Sequence, residues 1–265
     1  MSGQVVIAGG SGRMGQALVE AVNAHDSLTI RALTLGPGED APLASPVSAE
    51  HYTHDLDTAL EGADVFIDFT APAAISGHAA ACQKHGVAWV LGTTGLDADA
   101  QGLVEAAAGS VPICQAANFS SGVTLLLRLV ELATRGMGDD VNLEVIEAHH
   151  RHKVDAPSGT ALAIGKAMAR GREIELEDSA VFAREGITGA RPEGTIGFAT
   201  VRGGDIVGDH TALFAADGER LELSHRASSR QAFARGACRA AAWLHGRAPG
   251  LYDMQDVLDL RSGDS

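Results

Sequence analysis

The chain has 265 residues, 45% of them hydrophobic, enough for one or two domains with sizeable cores and too apolar for a disordered polypeptide. Lysine and arginine total 20 against 34 aspartates and glutamates, so the formal charge of −14 argues against nonspecific binding to nucleic acid or an anionic membrane. Any anion must then be met by a local basic pocket. Cys82, Cys114 and Cys238 are odd in number and lack a CxxC pair, which argues against a disulfide framework or a cysteine zinc site and points to the reducing cytoplasm. The start of the chain runs straight into Gln4-Val5-Val6-Ile7-Ala8 without a signal-like apolar run, and no stretch of about 20 apolar residues is long enough to span a bilayer.

Apolar strand-like runs at Val5 to Ala8, Leu28 to Leu35, Val65 to Asp68, Ala88 to Leu91 and Val111 to Ala116 alternate with helical runs. The helices are Ala17 to Ala24, Ala73 to His85 and Leu103 to Ala108. This rhythm predicts a parallel sheet covered by helices on both faces. The first strand leads into Gly9-Gly10-Ser11-Gly12-Arg13-Met14-Gly15 and a helix, the order a dinucleotide-binding fingerprint requires. Glycine there admits a pyrophosphate to the backbone, and the helix start supplies amides. The carboxylate that usually holds a ribose hydroxyl belongs at the end of the second strand, about 20 residues on. The chain has Thr34, Leu35 and Gly36 instead. The expectation is a fold accepting NADPH or NADH without strong discrimination, with Arg13 or amides near Gly36 and Gly38 available to a 2′-phosphate. Gly36 to Ser48, rich in glycine and proline, reads as a surface loop.

After residue 120 the rhythm changes. A leucine-rich helix spans Val123 to Thr134, and Val141, Leu143 and Val145 alternate with polar neighbours as in a half-buried strand. That strand delivers Glu147-Ala148-His149-His150-Arg151-His152-Lys153-Val154-Asp155-Ala156-Pro157-Ser158-Gly159-Thr160, a density of titratable groups that no packed core needs. Histidine exchanges protons near neutral pH. Ser158, Gly159 and Thr160 open an alanine-rich helix, Ala161 to Ala169, whose first amides suit an anion such as a carboxylate, with Lys153 adding a charge. Strand-like runs follow at Ala180 to Arg184, Thr195 to Val201, Asp205 to Phe214 and Arg220 to His225; helical pattern returns at Ala232 to Leu244 and Leu251 to Leu260. The predicted fold class is α/β: a Rossmann-like dinucleotide-binding domain over 1–120, to which 230–265 packs back, and a second α+β domain over 121–229. The second domain carries an open mixed sheet for substrate binding and oligomerisation.

The glycine loop, Asp68-Phe69-Thr70, Gly92-Thr93-Thr94-Gly95, Ala116-Ala117-Asn118-Phe119-Ser120 and the histidine segment together resemble the 4-hydroxy-tetrahydrodipicolinate (dihydrodipicolinate) reductases. The resemblance continues through Gly194-Thr195-Ile196-Gly197-Phe198, Gly208-Asp209-His210 and Ser228-Ser229-Arg230. It implies a homotetrameric enzyme of lysine and diaminopimelate biosynthesis that reduces a cyclic dicarboxylate with NADH or NADPH. By that match His149 is the acid/base residue, Lys153 a proton donor, and His150, Gly159 and Thr160 bind substrate alongside Ser158. The matched cofactor contacts are Gly9, Gly10, Ser11, Gly12, Arg13, Met14, Gly92, Thr93, Thr94, Ala116, Ala117, Asn118 and Phe119. Many relatives carry an acidic and a basic residue where this chain has Leu35 and Gly36, so cofactor preference stays open. A histidine metal cluster is disfavoured because neighbouring strand residues point to opposite faces, and Glu147 and Asp155 lack zincin spacing. Other readings are a different two-domain reductase, such as an aspartate dehydrogenase or a semialdehyde dehydrogenase with a nucleophilic cysteine, and a dinucleotide-sensing regulator without turnover.

Overall fold

A computed structural model describes residues 2–42 and 45–261. The chain begins β1 (Gly3–Ile7), α1 (Arg13–Asn23), β2 (Leu28–Thr34), β3 (Tyr52–Thr53), α2 (Leu56–Leu60) and β4 (Val65–Asp68). It continues through α3 (Ile75–His85), β5 (Ala88–Leu91), α4 (Ala98–Ala108), β6 (Pro112–Gln115), α5 (Ser121–Met137), β7 (Asn142–His149) and α6 (Gly159–Gly171). Then come α7 (Leu176–Ser179), β8 (Ala180–Val181), β9 (Ile196–Arg202), β10 (Gly208–Ala216), β11 (Glu219–Ala227), α8 (Gln231–Leu244), β12 (Gly250–Tyr252) and α9 (Met254–Val257). Two compact units result, one of residues 1–121 with 230–265 and one of 122–229. Leu43 and Ala44 of the predicted surface loop, and positions 262–265 of the returning segment, lie outside the described residues.

The first unit is a Rossmann-like sheet of seven parallel strands in the order β12-β6-β5-β4-β1-β2-β3. Every residue of β4 and β5 is buried, because helices cover both faces, and this is why those strands read as continuous apolar runs. On one face Leu18 and Val22 of α1 pack with Ala237, Ala241 and Leu244 of α8. On the other, Ile75, Ala79 and Cys82 of α3 pack with Val104 and Ala107 of α4. Order reverses at β1: the chain moves to β2 and β3 on one side, then returns to β4 on the other. Such a switch point opens a ligand crevice at the C-terminal strand ends.

The second unit has a five-stranded mixed sheet, β11-β10-β7-β9-β8. β7 lies at its centre, antiparallel to β10 and parallel to β9. Helix α6 covers one face through Ala161, Ile164 and Met168, packed with Val145, Phe198 and Phe214.

Three sequence expectations change. The run Ala180 to Arg184 is a strand only over Ala180–Val181; past its end the Arg184 guanidinium bonds both Glu144 carboxylate oxygens, at 2.7 and 3.0 Å. The run Leu251 to Leu260 begins as strand β12, paired with β6 at the sheet edge, and becomes helical only after Asp253, whose carboxylate caps α9. The strand predicted from Asp205 starts at Gly208.

Candidate active site

In the first unit the loops leaving β1, β5 and β6, together with the first turn of α1, carry the thirteen cofactor residues expected from the sequence, and β4 lies between β1 and β5. Gly9 adopts φ +64°, the left-handed region open to glycine. Gly12 is the N-cap of α1, its amide bonded to the Gly9 carbonyl at 3.0 Å, and Arg13 and Met14 form the first turn. A Cβ on Gly15 would lie 2.2 Å from the Gly9 carbonyl, so α1 starts this close to β1 only because residue 15 has no side chain. The result is a backbone cradle at a helix N-terminus, which fits a dinucleotide pyrophosphate.

Neighbouring loops are braced by Asp68. Its carboxylate is fully buried and accepts from His78 Nδ1 at 2.7 Å and from the Thr70 hydroxyl and amide at 2.6 and 3.0 Å. Burial by itself would raise this carboxyl, but those hydrogen bonds, His78 foremost, hold it below the usual range. Thr93 is buried, donates to Asp68 at 3.3 Å and accepts from the Thr70 amide at 3.1 Å, so its hydroxyl ties two loops together; Thr94 and Ala117 are exposed. Gly92 makes room for the Phe69 ring, and Asn118 accepts from the Ser120 amide at 2.8 Å. Phe119 is fully buried, its ring edge-on to Phe69 at 5.3 Å.

In the second unit, the alternation that buries Leu143 and Val145 continues in phase and buries Glu147 and His149. Strand register sets Glu147 opposite His210 of β10 and Thr200 of β9, and His149 opposite Arg202. Glu147 is 1% exposed. It accepts from Arg202 Nη1 and Nη2, both at 2.8 Å, from His149 Nδ1 at 2.5 Å and from the Ser158 amide at 3.1 Å. Burial pushes its carboxyl up, yet Arg202, His149 and Ser158 outweigh burial and hold it at about 2. An ionised carboxylate only accepts, so the His149 proton on this side sits on Nδ1 and Nε2 is the atom left to exchange protons. A Cβ on Gly208 would come 3.0 Å from Nε2, so the glycine provides space at that nitrogen.

Beyond β7, the turn is anchored by the β9–β10 connection: the His150 amide donates to the Ile206 carbonyl at 2.7 Å and the Gly203 amide to the His149 carbonyl at 2.9 Å. His150 Nδ1 is buried with no partner among the described residues, an unmet polar atom of the kind a ligand satisfies. Lys153 Nζ pairs with Asp155 at 2.9 Å. Ser158 caps α6, accepting from the Ala161 amide at 3.1 Å and meeting His210 Nε2 at 2.9 Å. With its amide given to Glu147 and its hydroxyl enclosed, Ser158 shapes the helix start, while Gly159 is exposed beside Thr160.

Sequence reasoning missed Arg202 and assigned no role to His210 or Glu147, although Glu147 sits in the same burial phase as His149. Burial first, and the neighbouring His149 second, bring His210 down to about 4, so it is neutral at pH 7. A depressed histidine contributes stability that is fully present above its ordinary value of 6.5 and is lost as pH falls through 4. The unfolding free energy should therefore fall by up to about 1.4 kcal/mol per pH unit across that window from this group. His210→Asn should flatten that slope in urea titrations; an unchanged slope would place the proton uptake elsewhere.

Cys114 is fully buried and its thiol is pushed up to about 12, by burial first and then by Asp253, which removes it as a nucleophile of the semialdehyde-dehydrogenase kind. Among the described residues no helix is long and apolar enough to cross a membrane, and no group of three or more histidine, cysteine or acidic side chains is placed to hold a metal ion.

The family model for the dihydrodipicolinate reductase N-terminus matches residues 3–119, and that for its C-terminus matches 122–258. The 4-hydroxy-tetrahydrodipicolinate reductase of Thiobacillus denitrificans is 54% identical over 267 residues, covering 98% of this chain and 100% of its own. A namesake from Pseudomonas fluorescens is 51% identical, covering 97% and 99%. The solved dipicolinate-bound dihydrodipicolinate reductase from Paenisporosarcina sp. TG-14 superposes with a TM-score of 0.77 at 26% identity, over 97% of this chain and 99% of that one. With both units matched and identity above one half sustained along the whole length, the chain belongs to the dihydrodipicolinate reductase family.

Proposed function

We propose that this chain reduces 4-hydroxy-tetrahydrodipicolinate to tetrahydrodipicolinate with NADH or NADPH, within diaminopimelate and lysine biosynthesis. The observation that carries the reading is the His149–Glu147 pair: a buried imidazole with one nitrogen fixed by an ionised carboxylate, at a strand end beside Lys153 and a helix N-terminus. That arrangement supports proton delivery to an anionic substrate. Loss of the substrate hydroxyl as water would leave a conjugated imine, and the glycine loop with the loops after β5 and β6 would hold a nicotinamide dinucleotide, which would supply hydride chemistry for ring carbon 4. His149, aided by Lys153, delivers the proton that completes the reduction. Gly159 and Thr160 at the start of α6, His150 and Lys153 hold the carboxylates; Ser158 acts by capping the helix.

A homotetramer in the cytoplasm accompanies this reading. Three buried free cysteines suit a reducing compartment. The sheet face opposite α6 exposes Ile146 and Val201 by 40% and 50%, an apolar surface suited to a second copy.

The test is twofold. A coupled assay with synthase-generated substrate should show turnover with either dinucleotide. Pyridine 2,6-dicarboxylate, which offers the carboxylates without a reducible imine, should inhibit competitively against substrate. Thr160→Val should weaken this inhibitor by about 1 to 3 kcal/mol and leave dinucleotide affinity nearly untouched. Calorimetric titrations that find equal losses for inhibitor and cofactor, or none for either, would remove substrate binding from this helix.

A further inference from the structure

A dinucleotide fold usually places its ribose-binding carboxylate at the end of the second strand, and in this chain that position holds Leu35 and Gly36. The structure brings a carboxylate there by another route. The Glu39 amide donates to the Gly36 carbonyl at 3.1 Å, closing a four-residue turn with Pro37 second and Gly38, at φ +74°, third. Proline followed by a left-handed glycine is the signature of a type II turn. The turn folds Glu39 back on itself, so that Oε2 accepts from the Gly36 amide at 3.1 Å and from the Ser11 hydroxyl at 2.6 Å. Ser11 belongs to the glycine loop after β1. A Cβ on Gly36 would stand 3.1 Å from the Glu39 carboxyl carbon, so glycine at 36 helps the carboxylate approach.

We infer that Glu39 recognises the adenine-ribose hydroxyls and makes the chain prefer NADH to NADPH. The inference rests on the nicotinamide-dinucleotide reading above. Both hydrogen bonds fall on Oε2; Oε1 has no partner among the described residues and the side chain is exposed, which leaves an acceptor for a ribose hydroxyl. The Ser11 hydroxyl, and then the Gly36 amide, hold the carboxyl below its usual range, so it is ionised at neutral pH. A 2′-phosphate would bring a second anion against it, next to Asp40. No lysine or arginine occurs between Arg31 and Lys84; Arg13, two residues beyond Ser11, is the cation whose offset of that repulsion the experiment below tests. Weak discrimination, expected from Leu35 and Gly36 alone, gives way to a preference set by Glu39.

The experiment titrates the purified full-length protein with NADH and with NADPH, following nicotinamide fluorescence, in the wild type, Glu39→Gln and Arg13→Ala. The wild type should bind NADH at least tenfold more tightly. Glu39→Gln should lose about tenfold for NADH while holding or gaining NADPH affinity, so that the ratio collapses toward one, with an unchanged circular dichroism spectrum. A ratio indifferent to Glu39→Gln, or a wild-type preference for NADPH that disappears in Arg13→Ala, overturns the assignment while leaving dinucleotide binding intact. A wild type that binds neither overturns both readings.

Discussion

Replacing Glu147 by alanine should destabilise the second unit by about 3 to 5 kcal/mol, the range for removing one partner of a buried ion pair. The cost comes from what is left behind. Arg202 sends both terminal nitrogens to this carboxylate, and the Ser158 amide and Thr200 hydroxyl point to it as well, so alanine strands several donors at once. Because the folded carboxyl is held at about 2, against an ordinary 4.5, its stabilisation is fully present above pH 4.5 and is lost as pH falls toward 2. Urea unfolding of Glu147→Ala should accordingly show less acid sensitivity than the wild type across that window. Glu147→Gln separates positioning from stability. The amide keeps the shape but no longer obliges His149 to place a proton on Nδ1, so kcat should fall by about 10-fold or more with dinucleotide affinity unchanged. Unfolding of the alanine variant within 1 kcal/mol of the wild type, together with normal turnover of the glutamine variant, would refute the role given to this carboxylate.

Legibility in the sequence followed the range of the interaction. The alternation of Leu143 and Val145 could be read directly, and continuing it would have put Glu147 and His149 on one buried face. The apolar runs of β4 and β5, and the glycines between β1 and α1, declared a covered parallel sheet because each reports a local need: burial on both sides, or absence of a side chain. Arg202 and His210 were hidden, since they meet Glu147 and Ser158 only through the register of β7 with β9 and β10, and register is a tertiary property. Glu39 was hidden for a related reason: a turn carries it back to Ser11, and strand position alone selects Leu35. At Leu251 helical periodicity lost to the unpaired edge of β6, which a short strand could satisfy. Phe119, matched to a cofactor contact by resemblance, has its ring in the first core, a packing role that the motif alone does not reveal.

His149→Gln should lower kcat by about 10²-fold or more, with little change in dinucleotide affinity. Glutamine is close in reach and can still donate to Glu147, so the pocket should stay filled and Arg202 paired. What it lacks is a group that exchanges a proton near neutral pH, and His149 Nε2 is the atom the Glu147 contact leaves for that purpose. The loss should therefore appear in kcat and kcat/KM together, the pattern of an interaction made in the transition state. Lys153→Ala should behave differently. Lys153 is paired with Asp155 in the structure, a carboxylate held below its usual range first by that lysine. A substrate carboxylate would compete for the same ammonium, so alanine should raise KM as well as lower kcat, whereas Asp155→Asn, which frees the ammonium, should spare kcat. Steady-state kinetics on the three folded variants check this; near-normal kcat in both His149→Gln and Lys153→Ala would take proton transfer away from this segment.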